Sequence, residues 1–133
     1  MKADIETEWK TTRKQAPCKR KVLYTMHWIY LSAAILLEVA GTTAMKLSEG
    51  FSKPLPSLSI FIFYGCSFTF LTLALKVLPV GMTYAVWGGI GTALITLVGV
   101  VWFNEPIGML KLLSLLLIII GVAGLHLSRG SML

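Results

Sequence analysis

Four long apolar stretches constrain this chain more than any other feature of its sequence. They cover about residues 28–45, 55–75, 82–103 and 109–127. At about 1.5 Å per helical residue, stretches of about 18 to 22 residues extend roughly 27 to 33 Å, close to the thickness of a bilayer's hydrocarbon core. The apolar residues run continuously rather than alternating, and each run is about twice as long as a barrel strand. The sequence therefore predicts an all-α membrane protein with four transmembrane helices.

The segments between the apolar stretches are short. Residues 48–54, 76–81 and 104–108 each contain both proline and glycine, which predicts tight turns between antiparallel helices. No extramembrane domain remains to hold a soluble active site. The two cysteines, Cys18 and Cys66, form no disulfide framework and no metal-ligand spacing. We therefore expect no enzyme activity, no cofactor and no bound metal.

Charge and composition place this chain in a bilayer. Of the 133 residues, 56% are hydrophobic and only 14% are charged, so a water-soluble domain would lack polar surface. Seven of the twelve basic residues and three of the six acidic residues precede residue 26, which assigns the net charge of +6 to a tail beside a membrane rather than to a nucleic-acid interface. We predict a basic, disordered tail at residues 1–25, a four-helix transmembrane domain at residues 26–133, and no nucleic-acid partner. Alternatively, the tail and first stretch form a signal peptide cleaved within residues 40–44.

Glu38 is the one acid inside an apolar stretch. It lies near mid-bilayer, eight residues from Lys46, while Lys76, Lys111 and Arg129 fall at span ends. A charge at this depth costs about 2.5 to 3.5 kcal/mol on insertion scales. Protonation or a bound external cation would relieve that cost, and because the two states exclude each other, their competition is the chemistry of proton-coupled cation exchange. The alternative is a permanently neutral Glu38 that is hydrogen-bonded at a helix interface.

Aromatic residues within the spans are candidates to hold a cation. A quaternary or flat cation is held well by a carboxylate together with aromatic faces. Tyr84 and Trp87 lie three residues apart on one helix face, and Tyr64 lies midway along the second stretch. In contrast, the aromatic residues at span ends are expected to anchor the helices at the membrane interface; these are Trp28, Tyr30 and Trp102. Four phenylalanines are expected to face lipid or to pack: Phe61, Phe63, Phe68 and Phe70.

Small residues mark three further places. Several of the residues that share the helical face of Glu38 are small, which permits either a ligand or a packed helix: Leu31, Ala34, Ile35, Gly41, Thr42 and Met45. Three of the four residues 88–91 are glycines, which weaken the third helix. We therefore predict either a hinge at Gly89 and Gly91 or close packing of another helix there. Ser114 and Gly121, seven residues apart in the fourth stretch, predict a seam between helices of two subunits.

These segments resemble those of the small multidrug resistance transporters of bacterial inner membranes. The resemblance runs from Met26 to about Arg129. It is carried by the segment EVAGTTAMKLSEGF at residues 38–51, by PVGMTYAVW at residues 79–87, and by the Gly89-Ile90-Gly91 step. The family implies four helices per subunit and an antiparallel dimer, whose two membrane glutamates share one site for protons or a cationic drug.

The resemblance also implies roles for individual residues. Glu38 matches the shared glutamate. Tyr64, Tyr84 and Trp87 match the aromatic wall of the site, and the remaining lining is matched by Leu31, Ala34, Ile35, Gly41, Thr42 and Ser67. Ser114 and Gly121 match the dimer contact of the fourth helix, with Ser114 in place of the usual glycine. Guanidinium exporters of this family carry a tryptophan three residues after the glutamate, whereas this chain has Gly41, which favours the quaternary-ammonium and multidrug branch.

Three functions remain open at this point. The first is a proton-coupled antiporter that exports lipophilic cations across the bacterial inner membrane. The second is an obligate subunit of a heterodimeric exporter of small amines or polyamines. The third is a non-transport membrane component, such as a subunit of a lipid-carrier flippase.

The basic residues of the tail affect the orientation in which the chain inserts into the membrane. From Met26 onward, the basic residues at the two sides of the membrane are nearly balanced, which suits insertion in both orientations and hence an antiparallel homodimer. The tail's bases would fix the N-terminus in the cytoplasm. We therefore expect either that translation natively starts at Met26 or that the full chain needs an oppositely oriented partner.

Overall fold

Four α-helices make up the described part of the chain. The structure, a computed structural model, describes the backbone of residues 17–130 and the side chains of residues 21–128. Helix α1 covers Pro17–Leu47, α2 Pro54–Ala74, α3 Val80–Phe103 and α4 Met109–Gly130, and this region contains no strand. Each helix contains a segment long and apolar enough to cross a membrane. The predicted all-α architecture with four membrane-spanning helices is confirmed.

Helix α1 begins earlier than the apolar stretch indicated. It starts at Pro17 and continues without a break to Leu47, a length of 31 residues. Proline suits the first position of a helix because its missing N–H would have no partner there, and residues 18–27 contain neither glycine nor proline. Residues 17–25, which the sequence assigned to the tail, are therefore continuous with the first span. The remainder of that tail, residues 1–16, lies outside the described residues.

The connections reverse the chain within five or six residues. Between α1 and α2, three consecutive residues adopt left-handed backbone conformations: Glu49, Gly50 and Phe51, with φ of 50°, 68° and 65°. The buried hydroxyl of Ser48 stabilises this turn, since it accepts a hydrogen bond from the Phe51 backbone N–H at 3.3 Å. Proline at the start of α2 and at the N-cap of α3 favours helix initiation after each turn.

Helix α1 is the central element of the fold. It packs most extensively against α2 and less extensively against α3, while α3 packs against α4. Where α1, α2 and α3 meet, a small core forms from Leu31, Ala34, Ile35, Leu71, Ala74, Leu78, Val86 and Trp87. Ser67 links two helices in this core, because its hydroxyl donates a 2.7 Å hydrogen bond to the Ala34 carbonyl oxygen.

Helix α4 lies at the periphery. It packs closely on α3 at Gly89, where an added Cβ would lie 2.6 Å from a methyl carbon of Val122. None of its membrane-spanning segment is buried within the chain, and its leucine and isoleucine side chains, apart from the partly buried Leu115, are exposed. This apolar surface is available to lipid or to another protein chain.

Candidate functional site

Glu38 is placed against the middle of α3. Its carboxylate lies on Gly91, the twelfth of the 24 residues of α3, so closely that a Cβ added at Gly91 would be 2.7 Å from Oε2. Oε2 is buried and has no hydrogen-bond partner among the described residues. The carboxylate therefore lies at mid-membrane depth, at a position on α3 where only glycine leaves room for it.

No described cation is paired with Glu38. The ion pairs of the described region are Lys46–Glu105, Lys111–Glu105 and Lys53–Glu49, all outside the apolar centre of the molecule. A buried carboxylate oxygen without a partner is unfavourable when the group is charged, and a bound proton or a cation from outside the chain would relieve that cost.

Thr42 connects Glu38 to the aromatic residues. Its hydroxyl donates a 2.9 Å hydrogen bond to the Glu38 backbone oxygen and lies 2.8 Å from the Tyr64 hydroxyl. The Tyr64 ring packs over Gly41, where an added Cβ would lie 2.8 Å from ring carbon Cδ2. Gly41 and Thr42 thus fix the Tyr64 ring on the face of α1 that carries Glu38.

Four aromatic rings form a continuous series across α2 and α3. Ring centroids are separated by 6.1 Å between Tyr64 and Phe68, 6.0 Å between Phe68 and Trp87, and 5.5 Å between Trp87 and Tyr84. The sequence assigned Phe68 to lipid contact or packing, which agrees with its half-exposed, packed ring, but did not place it in this series. The available signal was the spacing: Phe68 follows Tyr64 by four residues, so both lie on one face of α2.

Within this aromatic series, Trp87 and Tyr84 have different surroundings. Trp87 belongs to the core and is only 9% exposed, and its indole N–H has no partner among the described residues. Tyr84 is 63% exposed. Trp87 therefore contributes to the stability of the chain as well as to this site, whereas the Tyr84 ring is free to contact another molecule.

The other predicted lining residues lie inside the fold. Leu31, Ala34 and Ile35 are buried between α1, α2 and α3, and Ser67 is committed to its hydrogen bond with Ala34. The structure therefore brings together Glu38, Thr42, Tyr64, Trp87 and Tyr84, and it places the remaining predicted lining residues behind them as helix packing. Their contact with a ligand stays a prediction.

The predicted hinge and dimer residues are placed as follows. Helix α3 is continuous, with Gly89 packed on Val122 and Gly91 on Glu38. Both glycines are therefore sites of close packing in this structure, and hinge motion stays a prediction. Ser114 and Gly121 are exposed on α4, where a Cβ added at Gly121 would meet no atom within 4 Å.

The site offers one carboxylate and no metal centre among the described residues. No three His, Cys, Asp or Glu side chains of this region come together to hold an ion. A single carboxylate beside aromatic faces suits an organic cation better than a divalent metal, which needs several oxygen ligands.

These features define a class of protein: a four-helix membrane protein in which one carboxylate, without a partner among the described residues, lies against the middle of a span, with a series of aromatic rings on neighbouring helices. The family model described as Small Multidrug Resistance protein matches residues 26–118. This chain belongs to the small multidrug resistance family. The family and the four helices confirm a multi-pass protein of the bacterial inner membrane, and the family is one of transporters.

Curated relatives cover the same region. The chain is 53% identical over 102 residues to the "Uncharacterized membrane protein YvaE" of Bacillus subtilis, covering 77% of this chain and 86% of the relative. It is 50% identical over 101 residues to "Multidrug resistance protein EbrB" of Bacillus licheniformis, covering 76% and 85%. It is 42% identical over 101 residues to "Quaternary ammonium compound-resistance protein QacG" of a Staphylococcus strain, covering 76% and 94%.

Proposed function

We propose that this chain is a proton-coupled antiporter that exports lipophilic or quaternary-ammonium cations across the bacterial inner membrane. The single observation that carries this proposal is the Glu38 carboxylate, whose Oε2 is buried, has no partner among the described residues and lies against the middle of α3. The names of the relatives, which refer to resistance to several drugs and to quaternary ammonium compounds, support the cationic substrate class.

Coupling follows from the electrostatics of one carboxylate in an apolar region. When a proton is bound, Glu38 is neutral and has no attraction for an organic cation. When the proton leaves, the charge requires a counter-ion, and a lipophilic cation supplies one without a large hydration cost of its own. Because proton and cation cannot occupy the carboxylate together, uptake of one drives release of the other.

The aromatic series explains why organic cations would be preferred. The rings of Tyr64, Phe68, Trp87 and Tyr84 lie within 6.1 Å of their neighbours, so a cation beside this series would meet aromatic surface. A cation over a desolvated ring gains up to about 2 kcal/mol. A quaternary ammonium ion has no N–H to donate, so it loses little when it exchanges water for these faces.

We further propose that two copies, or this chain and a paralogous subunit, form an antiparallel dimer around one shared site. The exposed face of α4, including Ser114 and Gly121, and the 63% exposed Tyr84 support this arrangement, because a second subunit would cover both. The two Glu38 carboxylates of a homodimer would then face a common cavity for protons and a cationic substrate.

Solid-supported-membrane currents on the purified protein test the proposed function. We expect currents when a proton gradient is applied with tetraphenylphosphonium, ethidium or a quaternary ammonium compound, and no current with neutral analogues. Cation-induced currents that do not depend on the proton gradient would contradict antiport. An absence of any cation response, in protein that is monodisperse, would favour the non-transport function.

Replacing Gly91 by alanine should displace the Glu38 carboxylate without unfolding the chain. The added Cβ would lie 2.7 Å from Oε2, which sits at the end of a flexible side chain and can shift. Alanine also favours the helix by about 0.5 to 1 kcal/mol relative to glycine. We expect thermal stability to be maintained and the affinity for tetraphenylphosphonium to fall about tenfold, or about 1.4 kcal/mol.

Gly88→Ala is the matched control, because its added Cβ would meet no atom within 4 Å. Equal losses of affinity in Gly88→Ala and Gly91→Ala would show that general stiffening of α3, rather than displacement of Glu38, is responsible.

Removal of the Tyr84 ring should weaken cation binding. Since Tyr84 is 63% exposed, Tyr84→Leu leaves no core cavity, whereas Trp87→Ala would cost about 3 to 5 kcal/mol of stability. We expect Tyr84→Leu to lower the affinity for tetraphenylphosphonium about fivefold to tenfold by titration calorimetry. Phe61→Leu is the control, because this exposed ring contacts Phe51 outside the aromatic series. If Tyr84→Leu binds as tightly as wild type, the ring does not contact the cation.

A further inference from the structure

Another carboxylate and another aromatic ring, outside the candidate site, meet at one end of the helices. Lys46, at the end of α1, forms a hydrogen-bonded ion pair with Glu105, in the connection between α3 and α4. The same ammonium group lies over the ring of Phe103, 4.3 Å from its centroid. The other Glu105 oxygen lies 3.4 Å from Nζ of Lys111. A lysine ammonium is thus held by a carboxylate and an aromatic face.

The backbone holds Glu105 in this position. Asn104 ends α3 in a left-handed conformation, with φ of 51°, which turns the chain back over the last turn of the helix. The Glu105 backbone N–H then donates a 3.0 Å hydrogen bond to the Gly99 carbonyl oxygen. Hydrogen bonds from Lys46 and then Lys111 lower the pKa of Glu105, so its carboxylate is charged at neutral pH.

A cavity joins this cluster to the Glu38 face of α1. Its volume is about 480 Å³, and its lining includes Lys46, Phe103 and Glu105 as well as Thr42 and Thr96. Thr42 lies one helical turn from Glu38 and donates a hydrogen bond to its backbone oxygen. The volume falls within the range of small-molecule sites, about 300 to 1,000 Å³.

We propose that Glu105 and Phe103 form a peripheral site for a lipophilic cation, which the Lys46 ammonium occupies until an incoming cation displaces it. The identity of this ligand rests on the proposed function. The cation would bind at the membrane surface first and would move along the cavity afterwards as far as Thr42, one helical turn from Glu38. Lys46 is then an internal competitor that keeps the site filled in the absence of substrate.

Exposure makes this displacement energetically easy. The side chains of Lys46 and Glu105 are 48% and 38% exposed, and ion pairs with such access to water contribute little stability. A displaced lysine side chain can extend into water, where its ammonium is strongly hydrated. A lipophilic cation is weakly hydrated, so it gains more than lysine does from the Phe103 ring.

Equilibrium binding of tetraphenylphosphonium to detergent-purified variants tests this site. All variants carry Glu38→Gln, which removes the central carboxylate and leaves the peripheral one. Adding Lys46→Gln should raise the residual affinity on the order of tenfold, because it removes the internal competitor. Adding Glu105→Gln to that double variant should return binding to the level of partition into micelles, and adding Phe103→Leu instead should lower the affinity severalfold.

Lys53→Gln in the Glu38→Gln background is the matched control. It frees Glu49 from its 2.6 Å ion pair in the connection between α1 and α2, and it should not increase binding. Equal binding with and without Glu105 in the Lys46→Gln variants, or an equal increase from Lys53→Gln, would overturn the proposal. The Phe103→Leu variant keeps the Glu105 carboxylate and gives the same answer if Glu105→Gln fails to fold.

These binding measurements test the peripheral site separately from transport. If the proposed antiport is wrong, the currents of the wild-type protein fail, whereas the peripheral site fails only by these binding measurements in protein that lacks the Glu38 carboxylate.

Discussion

Glu38→Gln is expected to abolish cation exchange driven by a proton gradient. Glutamine has nearly the same shape as glutamate, so it fits against Gly91, but it neither charges nor binds a proton. Because Oε2 of Glu38 has no partner among the described residues, the neutral amide removes no ion pair and leaves helix packing intact. The expected result is a folded protein with no coupled current and a cation affinity reduced by at least about a hundredfold.

Two further variants test whether the loss of exchange is specific to the carboxylate at position 38. Glu38→Asp keeps a carboxylate on a side chain shorter by one methylene, and it should retain exchange with a displaced pH optimum. Glu49→Gln removes an exposed carboxylate in the connection between α1 and α2 and should behave as wild type. If the Glu38→Gln variant still exports ethidium or a quaternary ammonium compound when a pH gradient is applied, Glu38 is not the coupling residue.

The orientation of the chain in the membrane should depend on the tail. From Met26 onward, one side carries Lys76 and Arg129, while the other carries Lys46, Lys53 and Lys111, which is nearly no bias. The tail adds seven basic residues to the first side, and lysine and arginine near span ends set orientation. We expect the full chain to insert with its N-terminus in the cytoplasm and a version that begins at Met26 to insert in both orientations.

Reporter fusions at the C-terminus measure this difference. The full chain should give a cytoplasmic signal only, whereas the version from Met26 should give signals on both sides of the membrane. A third version, in which the tail's lysines and arginines are replaced by glutamine, separates charge from length and should also show both orientations. If every version shows the same single orientation, the antiparallel homodimer is excluded and the heterodimeric subunit becomes the better account.

The number and placement of the helices could be predicted from the sequence because each span is a local property. An apolar run of about 20 residues must satisfy its backbone hydrogen bonds internally in lipid, so it must be a helix wherever its neighbours lie. Proline and glycine mark the connections for equally local reasons. The start of α1 at Pro17 was missed, because hydropathy marks where a helix enters the bilayer and not where its hydrogen bonding begins.

The sequence also predicted Glu38, Tyr84 and Trp87 as candidate site residues. Glu38 is the acid inside an apolar stretch, and helical periodicity places Tyr84 and Trp87 on one face of their helix. The sequence did not predict which faces meet. That Glu38 lies on Gly91, that Phe68 joins Tyr64 to Trp87, and that Trp87 is buried while Tyr84 is exposed all depend on contacts between different helices.

The sequence by itself determined four helices, a mid-membrane carboxylate without a nearby base, and an excess of positive charge at the N-terminus. The tertiary structure alone decided how these parts combine. Lys46 and Glu105 are 59 residues apart, and Glu38 and Gly91 are 53 apart, so no periodicity relates the members of either pair. Their contacts arise from how glycine and bulky side chains interlock when α1 packs against α3, and that fit is a property of the whole packed chain rather than of any one segment.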